Sequence, residues 1–288
     1  MPLKHILIAA PTMAGLMKAK TATTLVMLMR QLTRAGVEAE YLNIDSSDIV
    51  YARNYFARQV LESKDLDGLL FVDSDMQFRP ALVLKMLARE ADVVGAAYPK
   101  RSLDLETYAD VIARGGAQTP RARAKALSNV YQYTVVPSWE TPQPGRMKVA
   151  RGFARMAAVG MGCTLISRAA LEAMVEAKAV ERRRDIIDGV DNVSWGFFDV
   201  VKVGDISLSE DFSFCYRWTR LMGRDLWVCV DEPITHLGDF AFQARYMDRL
   251  VPLDPSPGVT VTTAGAPVPA PAAAPNSNAV EIDIDLLS

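Results

Sequence analysis

Two aspartates one residue apart, Asp73 and Asp75, are the side chains whose types and spacing point most directly to chemistry. They follow the short apolar run Gly68–Val72, which predicts a buried strand of a parallel sheet. Open α/β sheets bind ligands at the carboxyl ends of such strands. Two carboxylates without an obvious basic neighbour repel each other unless a divalent cation joins them, and oxygen ligands of this kind suit Mg²⁺ or Mn²⁺. The pair therefore predicts a diphosphate-bearing substrate, although Asp-Ser-Asp is also ordinary turn material.

Three other local features fit the same chemistry. Glu210 and Asp211 begin a predicted helix, where the helix dipole accounts for one acid and the other could face a cleft as a general base. His236 follows the last predicted strand, and an imidazole near two aspartates would complete a metal site, although a lone histidine there is more often structural. Arg53, at the start of the second predicted helix, could pair with phosphate or with a carboxylate, or could be an exposed cation.

Composition is that of an ordinary globular protein. The 288 residues are 50% hydrophobic and 23% charged, with a formal net charge of −2, so nothing favours long-range attraction to nucleic acid or to an anionic membrane. Cys163, Cys215 and Cys229 lie in apolar contexts without CxxC spacing, which predicts buried thiols in a reducing compartment. Because no apolar run approaches the length of a membrane span, a soluble cytoplasmic protein is expected.

One local concentration of positive charge could bind a polyanion, but a solvated loop is the favoured interpretation. Its members are Arg114, Arg121, Arg123, Lys125, Arg146, Lys148, Arg151 and Arg155.

The first half of the sequence alternates strand-like and helix-like segments. Strands are predicted over 5–10, 37–44, 68–72 and 92–97, and helices over 20–34, 48–63 and 80–90. This order predicts an α/β fold with a parallel sheet and right-handed crossovers.

The second half is less regular. Strands are predicted over 130–136, 159–166 and 226–230, helices over 168–179 and 209–222, and an irregular binding loop or lid over 181–208. After about residue 252 the Pro- and Ala-rich composition predicts a disordered tail. Its end, 279–288, could add to a sheet edge of a partner, but a polar chain end is favoured.

Several of these segments together resemble a GT-A fold glycosyltransferase of the family 2 type, notably its short bacterial and phage-borne members. The matching motifs are Pro11-Thr12, Ala52-Arg53-Asn54, Leu70–Met76 with its DxD motif, Val159–Gly162, Ser209–Cys215 and His236-Leu237-Gly238. The resemblance implies a Rossmann-like, mostly parallel central sheet flanked by helices. It also implies a glycosyltransferase domain over 1–251, divided into a nucleotide-sugar-binding half, 1–98, and an acceptor-binding half, 99–251, before the tail 252–288.

The resemblance also implies roles for individual residues. On the donor side, the nucleotide, its diphosphate or its sugar would contact Pro11, Thr12, Asp45, Arg53, Asp73, Gly160 and Gly162. Mn²⁺ or Mg²⁺ would be held chiefly by Asp75, with Asp73 and His236 as further ligands. Asp211 would be the general base of an inverting transfer, with Glu210 facing the acceptor. The two glycines would let the backbone approach the sugar closely.

The sequence departs from that family in one motif and leaves substrate questions open. Many members have Gln-x-x-Arg-Trp after the acidic pair, whereas this chain keeps Arg217-Trp218 without the glutamine. The expected donor is a UDP-hexose, then GDP-mannose, and the acceptor a glycan, a protein, a small metabolite or a hydroxylated DNA base.

Three alternatives remain beside the transferase. One is a haloacid-dehalogenase-like phosphatase, which places its Asp-x-Asp on the first strand rather than the third. Another is a sugar nucleotidyltransferase, which needs a Gly-rich basic loop that Pro11–Gly15 does not supply. The last is a non-catalytic nucleotide-sugar-binding scaffold that docks a partner through the tail.

Overall fold

The computed structural model describes residues 3–113, 119–140, 147–187, 190–238, 241–250, 262–263 and 279–282. The helices are α1 (Ala19–Arg34), α2 (Ile49–Glu62), α3 (Ala81–Leu87), α4 (Leu105–Ala113), α5 (Pro120–Val130), α6 (Arg168–Glu176), α7 (Glu210–Cys215) and α8 (Tyr246–Leu250). The strands are β1 (His5–Thr12), β2 (Glu38–Asp45), β3 (Gly68–Val72), β4 (Met76–Phe78), β5 (Val93–Ala96), β6 (Pro99–Leu103), β7 (Tyr131–Tyr133), β8 (Val135–Val136), β9 (Met147–Ala150), β10 (Phe153–Arg155), β11 (Ala158–Val159), β12 (Cys163–Ser167), β13 (Arg182–Ile187), β14 (Val190–Trp195), β15 (Lys202–Val203), β16 (Ile206–Ser207), β17 (Trp227–Cys229), β18 (Ile234–Leu237), β19 (Ala241–Ala244), β20 (Thr262–Thr263) and β21 (Ala279–Ile282).

A large central sheet organises the molecule. Its strand order is β2-β1-β3-β12-β5-β17-β10-β9-β21-β20, with β1 parallel to β2 and β3, and β5 parallel to β17. Strand β12 lies between β3 and β5 and is antiparallel to both. Most strands of the sheet run in one direction, which confirms the predicted α/β fold class. The antiparallel β12 is the difference from the expected parallel order, and it brings the start of β12 to the edge where β3 ends.

Helices cover both faces of this sheet, because successive side chains of a strand point to opposite faces. Leu69 and Phe71 of β3 pack in one apolar cluster with side chains of α2 and α6. Leu70 and Val72 pack in a second cluster with side chains of α1 and α3. All five residues of β3 are buried, as its apolar sequence predicts.

The predicted elements of the first half are confirmed. Helix α2 begins after Asp48, whose carboxylate accepts a hydrogen bond from the Tyr51 amide at 3.0 Å. Helix α1 buries its 25, 28 and 32 positions and is followed by Gly36 at φ +73°, a left-handed conformation that glycine adopts without strain. In the second half, Ser167 caps α6 by accepting from the Ala170 amide at 3.0 Å.

The sequence predicts only one strand, 130–136, between residues 98 and 157, and an irregular loop over 181–208, and both predictions are wrong in part. Two helices, α4 and α5, occupy part of the first stretch, so the strand predicted over 130–136 begins only at β7. Helix α5 is rich in Arg, Ala and Lys and has a weak apolar period, although Thr119 caps it and Pro120 stands in its first turn. The second stretch contains two hairpins, β13–β14 and β15–β16, rather than only irregular chain.

The helix predicted over 209–222 is confirmed in extent but not in type. It starts as α7 and continues from Tyr216 to Leu221 as a π-helix, a rare geometry that sequence patterns do not reveal. Trp218 in this turn is buried, and its indole nitrogen donates to the Asp225 carbonyl at 2.9 Å.

Most of the predicted tail, 252–288, lies outside the described residues. Within it, β20 and β21 pair with each other, and β21 pairs antiparallel with β9, so this part of the chain extends the central sheet. The proposed division of 1–251 into two halves stays a prediction.

The predicted state of the cysteines is confirmed: all three are free and buried. Burial raises the pKa of the Cys229 thiol to about 12 and those of Cys163 and Cys215 further. In the part of the chain that the structure describes, no helix combines the length and apolar character needed to cross a bilayer.

Candidate active site at the carboxyl edge of the sheet

The predicted site residues come from separate elements that end at one edge of the sheet. Asp73 and Asp75 lie between β3 and β4, and the Asp73 amide donates to the Gly162 carbonyl just before β12, at 3.1 Å. Strand β4 pairs antiparallel with β18, with Met76 opposite His236. The Leu237 amide donates to the Asp75 carbonyl at 2.7 Å. The small sheet β19-β18-β4 therefore carries His236 to the aspartates, a contact that the sequence order does not reveal.

Asp75, His236 and Arg101 form what we call the Asp75 cluster. Oδ2 of Asp75 lies 3.2 Å from Nε2 of His236 and 3.3 Å from Nη1 of Arg101. The Asp75 and His236 side chains are 17% and 14% exposed, whereas that of Arg101 is 53% exposed. The cluster therefore has a mostly buried side, Asp75 and His236, and a solvent-exposed side, Arg101.

The other ring nitrogen of His236 decides what Nε2 can do. Nδ1 lies 3.0 Å from the carbonyl oxygen of Pro99, which can only accept, so Nδ1 carries the hydrogen. In the neutral ring Nε2 then presents a lone pair to a carboxylate oxygen, and two acceptors cannot bond to each other. A positive group between or on them, either a proton or a metal ion, resolves that contact. Holding the second nitrogen on a backbone carbonyl is how metal-ligating histidines are usually oriented.

Asp73, Glu210 and the neighbouring Asp211 surround Arg53, and together these four residues are the Arg53 cluster. Arg53 is 3% exposed, with Nη2 at 3.1 Å from Oδ1 of Asp73 and Nε at 3.4 Å from Oε1 of Glu210. Its guanidinium also lies 5.0 Å from the centre of the Phe71 ring. Burial lowers the pKa of Arg53, but the charges of Asp73 and Glu210 outweigh that effect and raise it above its ordinary value. Arg53 is thus a carboxylate partner, one of the three roles that the sequence left open.

The acidic pair at the start of α7 divides between two tasks. Glu210 pairs with Arg53, while Asp211 accepts hydrogen bonds from the Ser209 hydroxyl and, at 2.7 Å, from the Phe212 amide. The Ser209 hydroxyl donates to Asp211 and makes no side-chain cap to the helix. Burial, and then the charge of Glu210, raise the pKa of Asp211 above its ordinary value. A carboxylate with a raised pKa is a stronger base than an exposed one.

Tyr98 fills the space beside the two predicted sugar-binding glycines. Its hydroxyl accepts from the Gly162 amide at 3.0 Å, and its ring meets the His236 ring edge-on at 5.5 Å between centroids. A Cβ at Gly162 would lie 2.7 Å from that hydroxyl, and one at Gly160 would also collide with it. The glycines are therefore required by Tyr98 packing, and their contact with a sugar stays a prediction.

Pro11, Thr12 and Asp45 lie at the ends of β1 and β2 on the same edge. Thr12 is paired with Asp45 across the strands, and its hydroxyl donates to the Ile44 carbonyl at 3.1 Å. Pro11 and Thr12 are buried, whereas Asp45 is exposed. The three residues are brought together as predicted, and their contact with a nucleotide stays a prediction.

The motif residues Asn54 and Arg217 fasten the loop that follows β14. The Asn54 amide group donates to Asp199 and its oxygen accepts from the Phe198 amide, each at 2.9 Å. Arg217 donates to the Asp199 carbonyl at 2.7 Å. Both side chains hold the loop in place rather than pointing to free space.

The predicted basic stretch is only partly described. Lys148 and Arg151 are exposed, and Arg155 is ion-paired with Asp225. Arg114 and Arg146, and the side chains of Arg121 and Arg123, lie outside the described residues. A role for this stretch in polyanion binding stays a prediction.

Sequence reasoning missed the segment after β5, from which Tyr98, Pro99 and Arg101 all reach the site. One signal was available: β5 is parallel to β3, so the residues that follow it had to emerge at the same edge as Asp73.

Comparisons with known proteins give only distant likenesses. No protein-family model matches the chain, and no curated protein matches it. A crystal structure of A197 from STIV is similar over 82% of this chain and 86% of that one, at 16% identity and a TM-score of 0.42. The crystal structure of a glycosyltransferase involved in the glycosylation of the major capsid of PBCV-1 is similar over 60% of this chain and 64% of that one, at 12% identity and a TM-score of 0.29. At identities and TM-scores this low, neither likeness transfers an activity to this chain.

Proposed function

We propose that this chain is a metal-dependent glycosyltransferase that moves a hexose from a nucleoside diphosphate sugar to a hydroxyl acceptor. The observation that carries the proposal is the contact between Nε2 of His236 and Oδ2 of Asp75 at 3.2 Å, with Nδ1 held by the Pro99 carbonyl. That pair of acceptors, at the ligand-binding edge of an α/β sheet, is arranged for a cation.

Asp75 and His236 would hold Mn²⁺ or Mg²⁺. Their donor set fits such an ion, and the imidazole nitrogen favours Mn²⁺, since nitrogen ligands bind Mg²⁺ less readily. In the described ranges no three His, Cys, Asp or Glu side chains form a ready metal site. Water and donor phosphates would therefore complete the shell, as is usual for ions bound with nucleotides. Once bound, the ion would neutralise the charge that grows on the leaving diphosphate.

Asp211 would act as the general base. It would take the proton from the acceptor hydroxyl while the acceptor oxygen bonds to the anomeric carbon and the bond to the diphosphate breaks, with inversion. Its raised pKa supports this role, because a base works best when its pKa lies closer to the working pH. Glu210, tied to Arg53, would border the acceptor rather than take the proton.

The Arg53 cluster would set the distance between donor and base. Arg53 joins Asp73, at the end of β3, to Glu210, beside the base on α7. Pro11, Thr12 and Asp45 would face the nucleotide, and Asp73 its ribose; Gly160 and Gly162 would face the sugar. UDP-hexose is the first donor to test and GDP-mannose the second, with a glycan, protein, metabolite or modified DNA base as acceptor.

The test measures release of free nucleotide from UDP- and GDP-sugars with Mn²⁺, with and without candidate acceptors. We expect release by the wild type, and losses of about a hundred-fold or more in Asp75→Ala and Asp211→Asn. Asp65→Asn is the control, since Asp65 is an exposed aspartate outside the site.

Three other outcomes would contradict the proposal. Absence of any binding or turnover of nucleotide sugars would reject it. Binding without turnover in every acceptor mixture would favour the scaffold, and release of inorganic phosphate from phosphomonoesters would favour the phosphatase.

A further inference from the structure

Arg101 is the one member of the Asp75 cluster to which no role has yet been given. We propose that Arg101 is an exchangeable counter-ion: it neutralises Asp75 in the free protein and moves onto the donor's diphosphate when a metal ion takes its place. This inference rests on the proposed function, because it concerns the same cation and the same donor.

Arg101 and a metal ion would compete for the same oxygen of Asp75. Nη1 of Arg101 lies 3.3 Å from Oδ2 of Asp75, the same atom that lies 3.2 Å from Nε2 of His236. A metal ion held by Asp75 and His236 would repel a guanidinium that also points at Oδ2. Arg101 and the metal are therefore alternatives at this position.

Arg101 can leave Asp75 when a metal ion arrives. The Arg101 side chain is 53% exposed, so water can solvate its guanidinium, and the incoming ion would neutralise the mostly buried Asp75 in its place. Arg53, by comparison, is enclosed and cannot exchange its partners without disrupting the site.

Arg101 stays close to the proposed metal site after its guanidinium leaves Asp75. A Cβ on Gly238 would lie 3.0 Å from Cδ and 3.6 Å from Cγ of Arg101, so the arginine stem packs over this glycine. Its backbone belongs to β6, the strand whose Pro99 holds His236. The Arg101 stem is thus held beside the proposed metal ligands, while its guanidinium lies on the solvent-exposed side.

The chemistry of the guanidinium group indicates which group Arg101 would bind after it leaves Asp75. A guanidinium forms paired hydrogen bonds with phosphate oxygens, and a metal held by Asp75 would bring the donor's diphosphate next to Arg101. In the free protein Arg101 opposes metal binding, and in the complete complex it adds a diphosphate contact. Removal of Arg101 should therefore have opposite effects on the two binding steps.

The experiment measures two affinities of the full chain by titration calorimetry: Mn²⁺ alone, and UDP or GDP at saturating Mn²⁺. In Arg101→Met we expect Mn²⁺ alone to bind about two- to five-fold more tightly, because an exposed ion pair no longer competes. We expect the nucleoside diphosphate to bind about ten-fold more weakly, because a charged hydrogen bond is lost. Arg101→Lys should fall between Arg101→Met and the wild type for the diphosphate.

Arg79→Met is the matched control. Arg79 is also exposed and paired with an acid, Glu232, at 3.0 Å, but it is not part of the Asp75 cluster. It should change neither affinity. Unfolding midpoints of all variants establish that folding is intact.

The outcomes separate the two proposals. If the wild type binds neither Mn²⁺ nor a nucleoside diphosphate, both proposals fall. If the wild type binds both and Arg101→Met lacks either of the two expected changes, the Arg101 proposal falls and the proposed function stands.

Discussion

Two arginines meet the two aspartates of one motif, and their surroundings differ. Arg53 pairs with Asp73 with only 4% of its side chain exposed, whereas Arg101 pairs with Asp75 with 53% exposed. The Arg53 cluster has no room for exchange, so its charges are fixed by the fold. In the Asp75 cluster only the arginine opens to solvent, and this is the partner that we propose a ligand replaces.

The physical reason is the cost of unpaired charge. A buried charge that loses its partner is strongly destabilising, because the protein interior does not solvate it. An exposed charge that loses its partner is solvated by water, and the loss is small. The same residue type therefore holds the fold at one aspartate and is available for binding at the other.

The largest expected effect concerns Asp211, the proposed base in the Arg53 cluster. Asp211→Asn should lower nucleotide-sugar turnover by about 10²–10⁴-fold, since the group proposed to take the proton is lost. The free energy of unfolding at neutral pH should stay equal or rise, because burial and Glu210 disfavour the charged form of Asp211 in the folded state. Turnover assays and urea unfolding measure the two quantities. Lower stability together with unchanged turnover would contradict this assignment.

The difference in stability between the wild type and Asp211→Asn should also depend on pH, with a sign that follows from the pKa of Asp211. Since the pKa of Asp211 is raised above 3.8 in the folded protein, the folded state binds the proton more tightly than the unfolded chain. The stability of the wild type relative to Asp211→Asn should therefore fall as the pH rises from about 4 through the raised pKa, and level off above it. A difference that rises with pH would mean that the Asp211 carboxylate is stabilised instead.

The next prediction compares how much each arginine contributes to the free energy of unfolding. Arg53→Met should lower the free energy of unfolding by about 3–5 kcal/mol, because Asp73 and Glu210 keep their charges without a buried partner. Arg101→Met should lower it by a smaller amount, because the arginine that is lost is itself 53% exposed, although the Asp75 that it leaves is only 17% exposed. Chemical denaturation of both variants measures the contrast. Equal losses would show that exposure does not separate the two pairs.

The last prediction concerns Tyr98, whose ring meets the His236 ring and whose hydroxyl accepts from the Gly162 amide. Tyr98→Phe should lower the free energy of unfolding by about 1–3 kcal/mol, because the buried Gly162 amide loses its acceptor while the ring stays in place. Tyr41→Phe, at a more exposed position, is the control and should have little effect. Thermal or chemical unfolding of both variants gives the comparison. A neutral Tyr98→Phe would mean that the amide finds another partner.

Local sequence signals predicted the first half of the fold well. Apolar runs such as β3 act within a few residues and are readable without the rest of the chain. They failed for α5, whose apolar period is weak, and for the hairpin β13–β14. The π-helical turn after α7 also escaped, because its sequence reads as an ordinary helix.

The sequence predicted the carboxylates of the candidate site but not the side chains that pair with them. The strand-to-Asp73 transition marked the edge of the sheet, and the acids at 210 and 211 marked a helix start. Arg53 came with three interpretations, and Tyr98 and Arg101 were missed, since no local pattern says which side chains meet across elements. Gly160 and Gly162 were noticed for a different reason from the Tyr98 packing that requires them.

By itself the sequence determined the α/β class, the buried strand that ends in Asp73 and Asp75, and the carboxylates on which the proposed chemistry rests. It could do so because burial, alternation and capping act over short stretches of chain. The tertiary structure alone decided that His236 faces Asp75, that Arg53 is enclosed between Asp73 and Glu210, and that Arg101 is exposed beside Asp75. Those outcomes depend on strand order and on solvent access, which arise only when distant segments pack together.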